Sequence, residues 1–211
     1  MTALESRGAF DAMFTAGAAR LVAPDGRGER LPVGQWAGVC DEVDRDLFTD
    51  HCLGPTLDIG CGPGRLVEEL VTRGVPALGI DTSQEAVRLT RLRGAWALLL
   101  DVFDEVPGVG NWSHVLLADG NIGIGGDPVR LLRRLVRMLG TGGTIAVEVA
   151  PHGTGVVREE LSIDVDGVRS DPVPWALLGL DAIVEVAGNA GLVVKERRSR
   201  AERNVVVLTP R

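Results

Sequence analysis

Short apolar runs alternate with amphipathic stretches in a regular rhythm between residues 54 and 150. The runs predict strands at Thr56 to Ile59, Ala77 to Ile80, Trp96 to Leu100, His114 to Ala118 and Thr144 to Val149. The residues that directly follow them are Gly60, Asp81, Asp101, Asp119 and Ala150. The first four lie 21, 20 and 18 residues apart, about one strand and one helix each. This alternation is typical of βαβ units, so it predicts an α/β fold with a parallel sheet.

Amphipathic stretches between and after these runs predict the helices. The first helix is predicted from Leu66 to Val71 and is expected to end at Gly74. The second, from Gln84 to Arg93, is expected to begin after Ser83. The third, from Pro128 to Leu139, is expected to begin after Asp127 and to end at Gly140. A further helix from Asp181 to Ala190 precedes two strands, Leu192 to Arg197 and Asn204 to Leu208. These two strands are close enough in sequence to pair antiparallel.

Residues 1 to 53 lie before this alternation of strands and helices. They are predicted to form an N-terminal helical and hairpin cap on the main domain, residues 54 to 211. This segment contains a helical stripe of Phe10, Met13 and Phe14, followed by turn residues at 24 to 26. The stripe is expected either to cover a bound cofactor or to pack as an ordinary buried face.

Residues 151 to 180 do not follow the alternation of strands and helices. They are predicted to form an insertion on the substrate side of the sheet. Their alternating segment from Leu161 to Val168 offers a pairing edge for a possible homodimer. Trp36 in the first added segment and Trp175 in the second either wall a substrate pocket or pack the cap onto the core.

Composition excludes several classes of protein. The 211 residues include 22 basic and 29 acidic ones, a net charge of −7, so nucleic acid is not expected as a partner. The three cysteines have none of the paired spacings of zinc sites, which predicts reduced thiols and no metal. The longest apolar stretch, Ala95 to Leu100, is too short to span a bilayer, and no signal-peptide pattern opens the chain. We therefore expect a cytoplasmic protein without membrane attachment.

The run from Asp58 to Arg65 places glycines at alternate positions, Gly60, Gly62 and Gly64, between the first strand and the first helix. Glycine lets the backbone approach a ligand where a side chain would clash, and a helix N-terminus offers free amides. A dinucleotide-binding fingerprint would have another glycine three residues after Gly62, where this chain has Arg65. The run resembles instead the first motif of class I S-adenosylmethionine-dependent methyltransferases.

The resemblance extends over residues 54 to 150 and 181 to 211. It implies a Rossmann-like three-layer sandwich with a seven-stranded, mostly parallel sheet whose last strand is antiparallel. It also implies S-adenosyl-L-methionine as cofactor and S-adenosyl-L-homocysteine as product. The cofactor-binding residues that it implies are Asp58, Gly60, Cys61, Gly62, Gly64, Arg65, Asp81, Thr82, Asp101, Val102, Asp119, Gly120 and Asn121.

Acidic residues at two strand ends are expected to bind particular groups of a ligand. Asp81 ends the second strand, where a carboxylate can accept both ribose hydroxyls of a nucleoside. Its alternative role, capping the next helix, can be filled by Thr82 and Ser83. In the resembling family an acid after the third strand binds the adenine amino group. Asp101 is preferred here over its neighbour Asp104, and a simple turn residue is the alternative.

The glycine-rich segment from Asp119 to Asp127 follows the fourth strand, at the edge where open α/β sheets bind ligands. Methyl transfer requires an aligned nucleophile, exclusion of water and, for a hydroxyl, removal of a proton. His152, Asp119 and Asn121 are the predicted catalytic residues, with Glu148 a further candidate. Histidine titrates near neutral pH, so His152 is chemically the best base, although an exposed loop histidine is an equally simple interpretation.

These observations predict a methyltransferase that acts on a small molecule, with oxygen favoured over nitrogen or carbon as the accepting atom. An RNA-modifying methyltransferase is one alternative, because Arg130, Arg133, Arg134 and Arg137 share a helix face, although a solvated face explains them as well. A cofactor-binding regulator without activity is the other. The segment after Asp119 lacks the Asn or Asp followed by two prolines and an aromatic that marks many base methyltransferases, which disfavours nucleobase methylation.

Overall fold

The computed structural model describes residues 6–211, with side chains from residue 8 onward. Its strands are β1 (Arg20–Val22), β2 (Gly28–Arg30), β3 (Thr56–Ile59), β4 (Ala77–Asp81), β5 (Ala97–Leu99), β6 (Trp112–Leu117), β7 (Leu139–Val149), β8 (Val156–Val165), β9 (Val168–Arg169), β10 (Val173–Leu178), β11 (Leu192–Arg200) and β12 (Arg203–Pro210). Its helices are α1 (Ser6–Ala16), α2 (Val33–Trp36), α3 (Glu42–Leu47), α4 (Arg65–Thr72), α5 (Gln84–Leu92), α6 (Pro128–Val136) and α7 (Ile183–Asn189). Short 3-10 turns lie at Thr49–His51 and Asn121–Gly126.

Seven strands form the large sheet, in the order β11-β12-β7-β6-β3-β4-β5. The last strand, β12, is antiparallel to both of its neighbours, and the pairs from β7 to β5 are parallel. Helices α6 and α7 pack on one face of this sheet, and α3, α4 and α5 pack on the other. The predicted three-layer α/β sandwich with a reversed last strand is confirmed.

Local sequence explains where the sheet-flanking helices begin and end. The Ser83 hydroxyl accepts a hydrogen bond from the Ala86 amide at the start of α5. The Asp127 carboxylate accepts one from the Arg130 amide at the start of α6. Gly74 has a left-handed φ of +77° just beyond α4, a conformation that suits glycine and ends the helix.

One predicted helix end is wrong. Gly140 was expected to close the helix that begins at Pro128, but α6 ends at Val136 and Gly140 lies within β7. The reason is strand pairing, because Leu139 already pairs with Trp112 of β6. Strand β7 therefore takes up Leu139, which the apolar stripe had assigned to the helix, and residues 137 and 138 form the turn between them.

The two added segments form a second, antiparallel sheet, in the order β10-β8-β1-β2 with β9 beside β8. We call it the cap sheet. Helix α1 packs on it through Met13, which contacts Ile163 and Val165 in a shared apolar cluster with Trp36. Sequence patterns had treated these segments as separate additions and the stretch from Leu161 to Val168 as a pairing edge. That edge is not free, because β8 pairs with β10 on one side and with β1 on the other.

The cysteines are free and buried, at positions 40, 52 and 61. Burial raises the pKa of the Cys40 thiol to about 12 and that of Cys52 to about 11, so both stay protonated at neutral pH. Within residues 6–211, no helix is both long enough and apolar enough to cross a membrane.

Candidate functional site

The glycine loop, residues 60–64, lies at the carboxyl end of β3 and leads into α4. Gly60, Gly62 and Gly64 have φ angles of +68°, +53° and +85°, which residues with a Cβ rarely adopt. A Cβ on Gly64 would also lie 2.5 Å from the Thr90 side chain. Gly64 is the N-cap of α4, and no side chain of the described residues caps this helix. Its first amides are therefore free to bind an anionic group.

Asp81 ties the glycine loop to the end of β4. Its Oδ2 accepts a hydrogen bond from the Gly62 amide at 2.9 Å, and its Oδ1 accepts one from the Ser83 amide at 2.8 Å. Burial raises the pKa of Asp81, and these amides oppose that shift. The carboxylate is still partly exposed, so it can accept further hydrogen bonds from a ligand.

Cys61 and Thr82 flank this contact. The Cys61 thiol turns into the core against Gly79, so only the backbone of this residue faces the loop. Thr82 is half-buried directly after Asp81. Both predicted cofactor-binding residues thus lie at the edge where they were expected.

Asp58 is a nearly buried residue whose carboxylate has no hydrogen-bond partner within the part of the chain that the structure describes. It is the penultimate residue of β3, just before the glycine loop, and it is only 3% exposed. Burial, together with the charges of Asp119 and Asp81, raises its pKa to about 7, although Arg65 acts in the opposite direction. A buried carboxylate in this state is stabilised by a cation, and the described residues provide none in direct contact.

The loop after β5 is held by several weak contacts. Asp101 Oδ1 accepts a hydrogen bond from the Phe103 amide at 2.9 Å, which leaves its second oxygen available. The Arg130 guanidinium lies 4.1 Å from the centre of the Phe103 ring. Val102 is buried in the core, and Asp104 is exposed. Burial thus favours Asp101 over Asp104 as a residue that faces a ligand.

Two arginines and three carboxylates form a network beneath the same edge. Arg65 donates to Asp44 (Nε to Oδ2, 2.8 Å) and to Asp119 (Nη1 to Oδ2, 2.7 Å). Arg203 donates to Asp44 (Nη1 to Oδ1, 2.7 Å) and to Glu148 (Nε to Oε1, 2.8 Å). The side chains of Arg65 and Asp44 are 5% and 3% exposed. We call these five residues the arginine–carboxylate network.

The network fixes the end of β6. Asp119 has a left-handed φ of +52°, and its amide donates to Glu148 Oε2 at 2.7 Å. Burial would raise the pKa of Asp44, but hydrogen bonds from Arg65 and Arg203 outweigh it and lower that pKa. Burial dominates at Asp119 and raises its pKa. These opposing contacts hold a strained backbone in place at the first residue of the glycine-rich segment.

Arg65 was predicted to bind the cofactor, but its guanidinium is occupied. Its nitrogens are bonded to Asp44 and Asp119, so the side chain supports the loop from beneath. Sequence reasoning missed Asp44 and Arg203, which come from opposite ends of the chain. No local pattern marks either residue.

Asn121 joins the glycine-rich segment to the glycine loop. Its Nδ2 donates to the carbonyls of Ile59 and Gly60, both at 2.9 Å. The 3-10 turn that it begins packs on β10, where a Cβ on Gly123 would clash with the Trp175 ring. Gly120, with φ of +80°, provides the left-handed step into this turn. The turn is thus clamped between the glycine loop and the cap sheet.

The three predicted catalytic residues lie in different surroundings. The side chains of Asp119 and Asn121 are bound to other groups at the base of the site, as described above. His152 lies in the loop after β7, where its side chain is exposed and has no hydrogen bond with the described residues. The structure brings together the first two and leaves His152 apart from them.

Helix α1 lies over the glycine loop. The Asp11 carboxylate accepts hydrogen bonds from the Ser83 hydroxyl at 2.6 Å and from the Glu85 amide at 2.9 Å. A Cβ built on Gly62 would lie 3.6 Å from the Phe14 ring. Of the stripe predicted from sequence, Met13 is buried in the cap and Phe14 lies against the glycine loop, while a role in covering a bound cofactor stays a prediction.

A cavity of about 220 Å³ lies between the ends of β6 and β7 and the cap strand β10. Its lining residues are Gly120, Ile122, Glu148, Val149, Ala150, Pro151, Ala176, Leu177, Leu178, Glu202 and Arg203. Most of this wall is apolar. The charged groups at its rim are Glu148 and Arg203, which are paired with each other, and the exposed Glu202.

The arginine face of α6 is mostly engaged within the chain. Arg133 donates to the Asn189 carbonyl, Arg134 donates to the carbonyls of Val102 and Asp104, and Arg130 stacks on a phenyl ring. Arg137 is exposed. A face whose arginines hold neighbouring loops has few cations left for a phosphate backbone.

Comparison with known proteins places this geometry in context. The sequence profile described as "Methyltransferase domain" matches residues 57–147. The chain is 32% identical over 115 residues to a trans-aconitate 2-methyltransferase of Rhizobium meliloti, a match that covers 50% of this chain and 43% of that protein. The matched part spans less than half the length of the curated relatives.

Solved structures share the fold over more of the chain. An S-adenosylmethionine-dependent methyltransferase from Bacteroides fragilis, solved with S-adenosyl-L-homocysteine, superimposes with a TM-score of 0.80 and 17% identity over 99% of this chain and 98% of that one. The glycopeptide N-methyltransferase MtfA, solved with S-adenosyl-L-methionine, has a TM-score of 0.62 and 15% identity over 81% and 89% of the two chains. The first likeness includes the cap sheet as well as the large sheet.

Proposed function

We propose that the chain is a class I S-adenosylmethionine-dependent methyltransferase and that it transfers the methyl group of S-adenosyl-L-methionine to a small-molecule acceptor. Oxygen is favoured over nitrogen or carbon as the accepting atom. The observation that carries the proposal is the Asp58 carboxylate, which has no hydrogen bond with the described residues, beside a helix N-terminus that none of their side chains caps.

The residues at this edge fit the cofactor chemically. S-adenosyl-L-methionine carries a sulfonium and an ammonium group. Either cation could stabilise the ionised carboxylate of Asp58, which contacts no cationic side chain of the described residues. The cofactor also carries a carboxylate, which suits the free amides at the start of α4. Asp81 and Asp101 each keep acceptor capacity for hydroxyl and amino groups.

The cofactor supplies a methyl group already activated on a sulfonium, so the protein mainly has to align the acceptor and exclude water. Phe14 of α1 and Trp175 of the cap sheet cover this edge from two sides. Asp119 and Asn121 are proposed to position the glycine loop and the turn after β6. Their side chains are held by two or more hydrogen bonds each, which suits orientation better than proton transfer.

The cavity beside β10 is proposed to receive the acceptor. Its walls suit an apolar body, and the arginines at this edge, Arg65 and Arg203, are both paired with carboxylates. A polycarboxylate would have to compete with those pairs, so we propose a neutral acceptor with a hydroxyl group. Trans-aconitate is the comparison compound in the activity test, because the matched relatives are named trans-aconitate methyltransferases.

Incubation with methyl-labelled S-adenosyl-L-methionine tests the function. The expected result is label in small hydroxylated compounds, less in trans-aconitate and none in tRNA. Saturable tRNA binding at physiological salt together with labelled RNA would favour the RNA-modifying alternative. Cofactor binding with no labelled product from any acceptor would favour the regulatory alternative.

Replacement of Asp81 by alanine is expected to weaken S-adenosyl-L-homocysteine binding by about 1.5–3 kcal/mol, because charge-assisted hydrogen bonds are lost. Calorimetric titration measures this change. Asp104→Ala is the matched control, since Asp104 is an exposed aspartate at the same edge and its removal should leave the affinity unchanged. Equal affinities for Asp81→Ala and the wild type would remove Asp81 from the site.

A further inference from the structure

A second cavity, of about 230 Å³, lies at the opposite edge of the large sheet from the glycine loop. Its floor consists of Leu116, Ala146 and Val207, on the face that also carries α3 and α4. One wall is the chain from Thr49–His51 to Leu53, and the other is β11. Leu53 is 87% exposed at the rim, so the cavity presents an open apolar surface.

An irregularity in β11 places charged residues around this cavity. Val194 pairs with Leu208 of β12, but Glu196 pairs with the next residue, Val207, so Lys195 is the extra residue of a β-bulge. The bulge reverses the side-chain alternation of the strand. Val194 packs in the core on the α7 side, whereas Glu196 and Arg198 turn to the cavity side. Lys195, the only lysine of the chain, thereby comes to the cavity rim.

The acidic groups at the rim are already neutralised. Arg198 donates to both carboxylate oxygens of Glu196, each at 2.8 Å. Arg73 donates to Asp50 at 2.6 Å. Lys195 is exposed and forms no ion pair with the residues that the structure describes. One positive charge at this cavity is therefore uncompensated.

The pKa values of two histidines at the cavity are lowered, in part by nearby positive charges. Burial lowers the pKa of His114, and the charges of Lys195 and Arg198 lower it further. Burial also lowers the pKa of His51; Arg198 acts in the same direction, and Glu196 and Asp50 oppose it. His114 is anchored, because Nδ1 bonds to the Thr144 hydroxyl at 3.0 Å and Nε2 accepts from the Leu53 amide at 3.3 Å. The rim is thus positive while its histidines are neutral, an environment that attracts an anion.

We propose that this cavity is a second ligand site, which binds a small organic anion such as a short-chain carboxylate. The acid group lies at Lys195, and the apolar body lies on the floor of Leu116, Ala146 and Val207 and against Leu53. The volume suits a ligand of a few carbon atoms. Strand β3 separates this site from the glycine loop, so its ligand does not share the cofactor's contacts.

Hexanoate and hexylamine are suitable probes, because they have the same apolar chain and opposite charges. In an amide chemical-shift titration, hexanoate is expected to bind saturably with a dissociation constant on the order of 1 mM and to shift the Leu53 amide. Because Lys195 provides the only ε-amine, its acetylation can be followed without interference from other lysines. Bound hexanoate is expected to slow that acetylation.

Charge-removing variants decide whether Lys195 forms the site. Lys195→Gln is expected to weaken hexanoate binding about tenfold, as the loss of one charge-assisted contact would. Arg137→Gln removes an exposed cation just beyond the end of α6, on the other face of the sheet, and should leave hexanoate binding unchanged. The proposal is overturned if hexanoate does not bind saturably, if hexylamine binds as tightly, or if Lys195→Gln binds like the wild type. Affinity for S-adenosyl-L-homocysteine, measured in parallel, should be the same in both variants.

Discussion

Asp58→Asn is expected to stabilise the protein at pH 8 while it removes most of the affinity for S-adenosyl-L-methionine. The carboxylate is 3% exposed, and burial raises its pKa to about 7 from an ordinary value of 3.8. Ionising it in the folded state therefore costs about 4 kcal/mol above pH 7. Asparagine removes that cost but leaves its amide without partners, which costs about 1–3 kcal/mol. A net gain of about 2 kcal/mol in the free energy of unfolding is expected.

The sign of the pH dependence follows from proton binding. Between about pH 4 and pH 7 the folded state holds a proton on Asp58 that the unfolded state has released, so this residue makes stability fall as pH rises. Above pH 7 the loss is complete and constant. Urea unfolding at pH 4, 6 and 8 measures it, and the advantage of Asp58→Asn should grow over this range. Asp104→Asn, an exposed control, should show no such trend.

Cofactor affinity separates this account from a purely structural role of Asp58. The loss of a buried charge contact should weaken S-adenosyl-L-methionine binding at least tenfold in Asp58→Asn. A variant that is more stable and binds the cofactor as well as the wild type would contradict the assignment of Asp58 to the site.

Arg65→Met is expected to lower the free energy of unfolding by about 3–5 kcal/mol. Removing one partner of a buried ion pair leaves uncompensated charge, and here Asp44 and Asp119 would both lose the guanidinium that binds them. Arg203 alone would then face three carboxylates, Asp44, Asp119 and Glu148. Urea unfolding at pH 7 measures the loss.

Arg73→Met provides the matched control. It makes the same substitution at the other end of α4, but the pair between Arg73 and Asp50 is 37% and 46% exposed. Exposed pairs contribute about 0–1 kcal/mol, so the control should be nearly neutral. Similar losses for the two variants would show that the arginine–carboxylate network does not stabilise the site in the way described.

Local sequence signals were sufficient for the large sheet and for the positions of several residues at its carboxyl edge. The glycine loop and Asp81 are each marked by a strand, a turn and a helix start within a few residues, and Asp101 is marked by a strand and a turn, so their positions follow from periodicity. The fold class could be predicted for the same reason. Arg65 shows what local sequence could not predict. Its position at the start of the helix was expected, but its contacts with two carboxylates were not.

Long-range pairing could not be predicted. The cap sheet depends on Arg20 pairing with Asp164, and the network depends on Arg203 meeting Asp44, 159 residues away. Neither contact has a periodic or motif signal, because each is determined by how distant segments pack. The bulge at Lys195 is similar, since the run from residue 192 to 197 predicted a regular strand.

Calorimetric titration of S-adenosyl-L-methionine into the wild-type protein, at several values between pH 5.5 and 7, tests the central claim most directly. Because a cationic cofactor favours the ionised form of Asp58, one-to-one binding should strengthen as the pH rises toward 7 and should release protons. The same titration with Asp58→Asn should show weak binding without this pH dependence. Absence of saturable binding, or an affinity that neither pH nor Asp58→Asn alters, would contradict it.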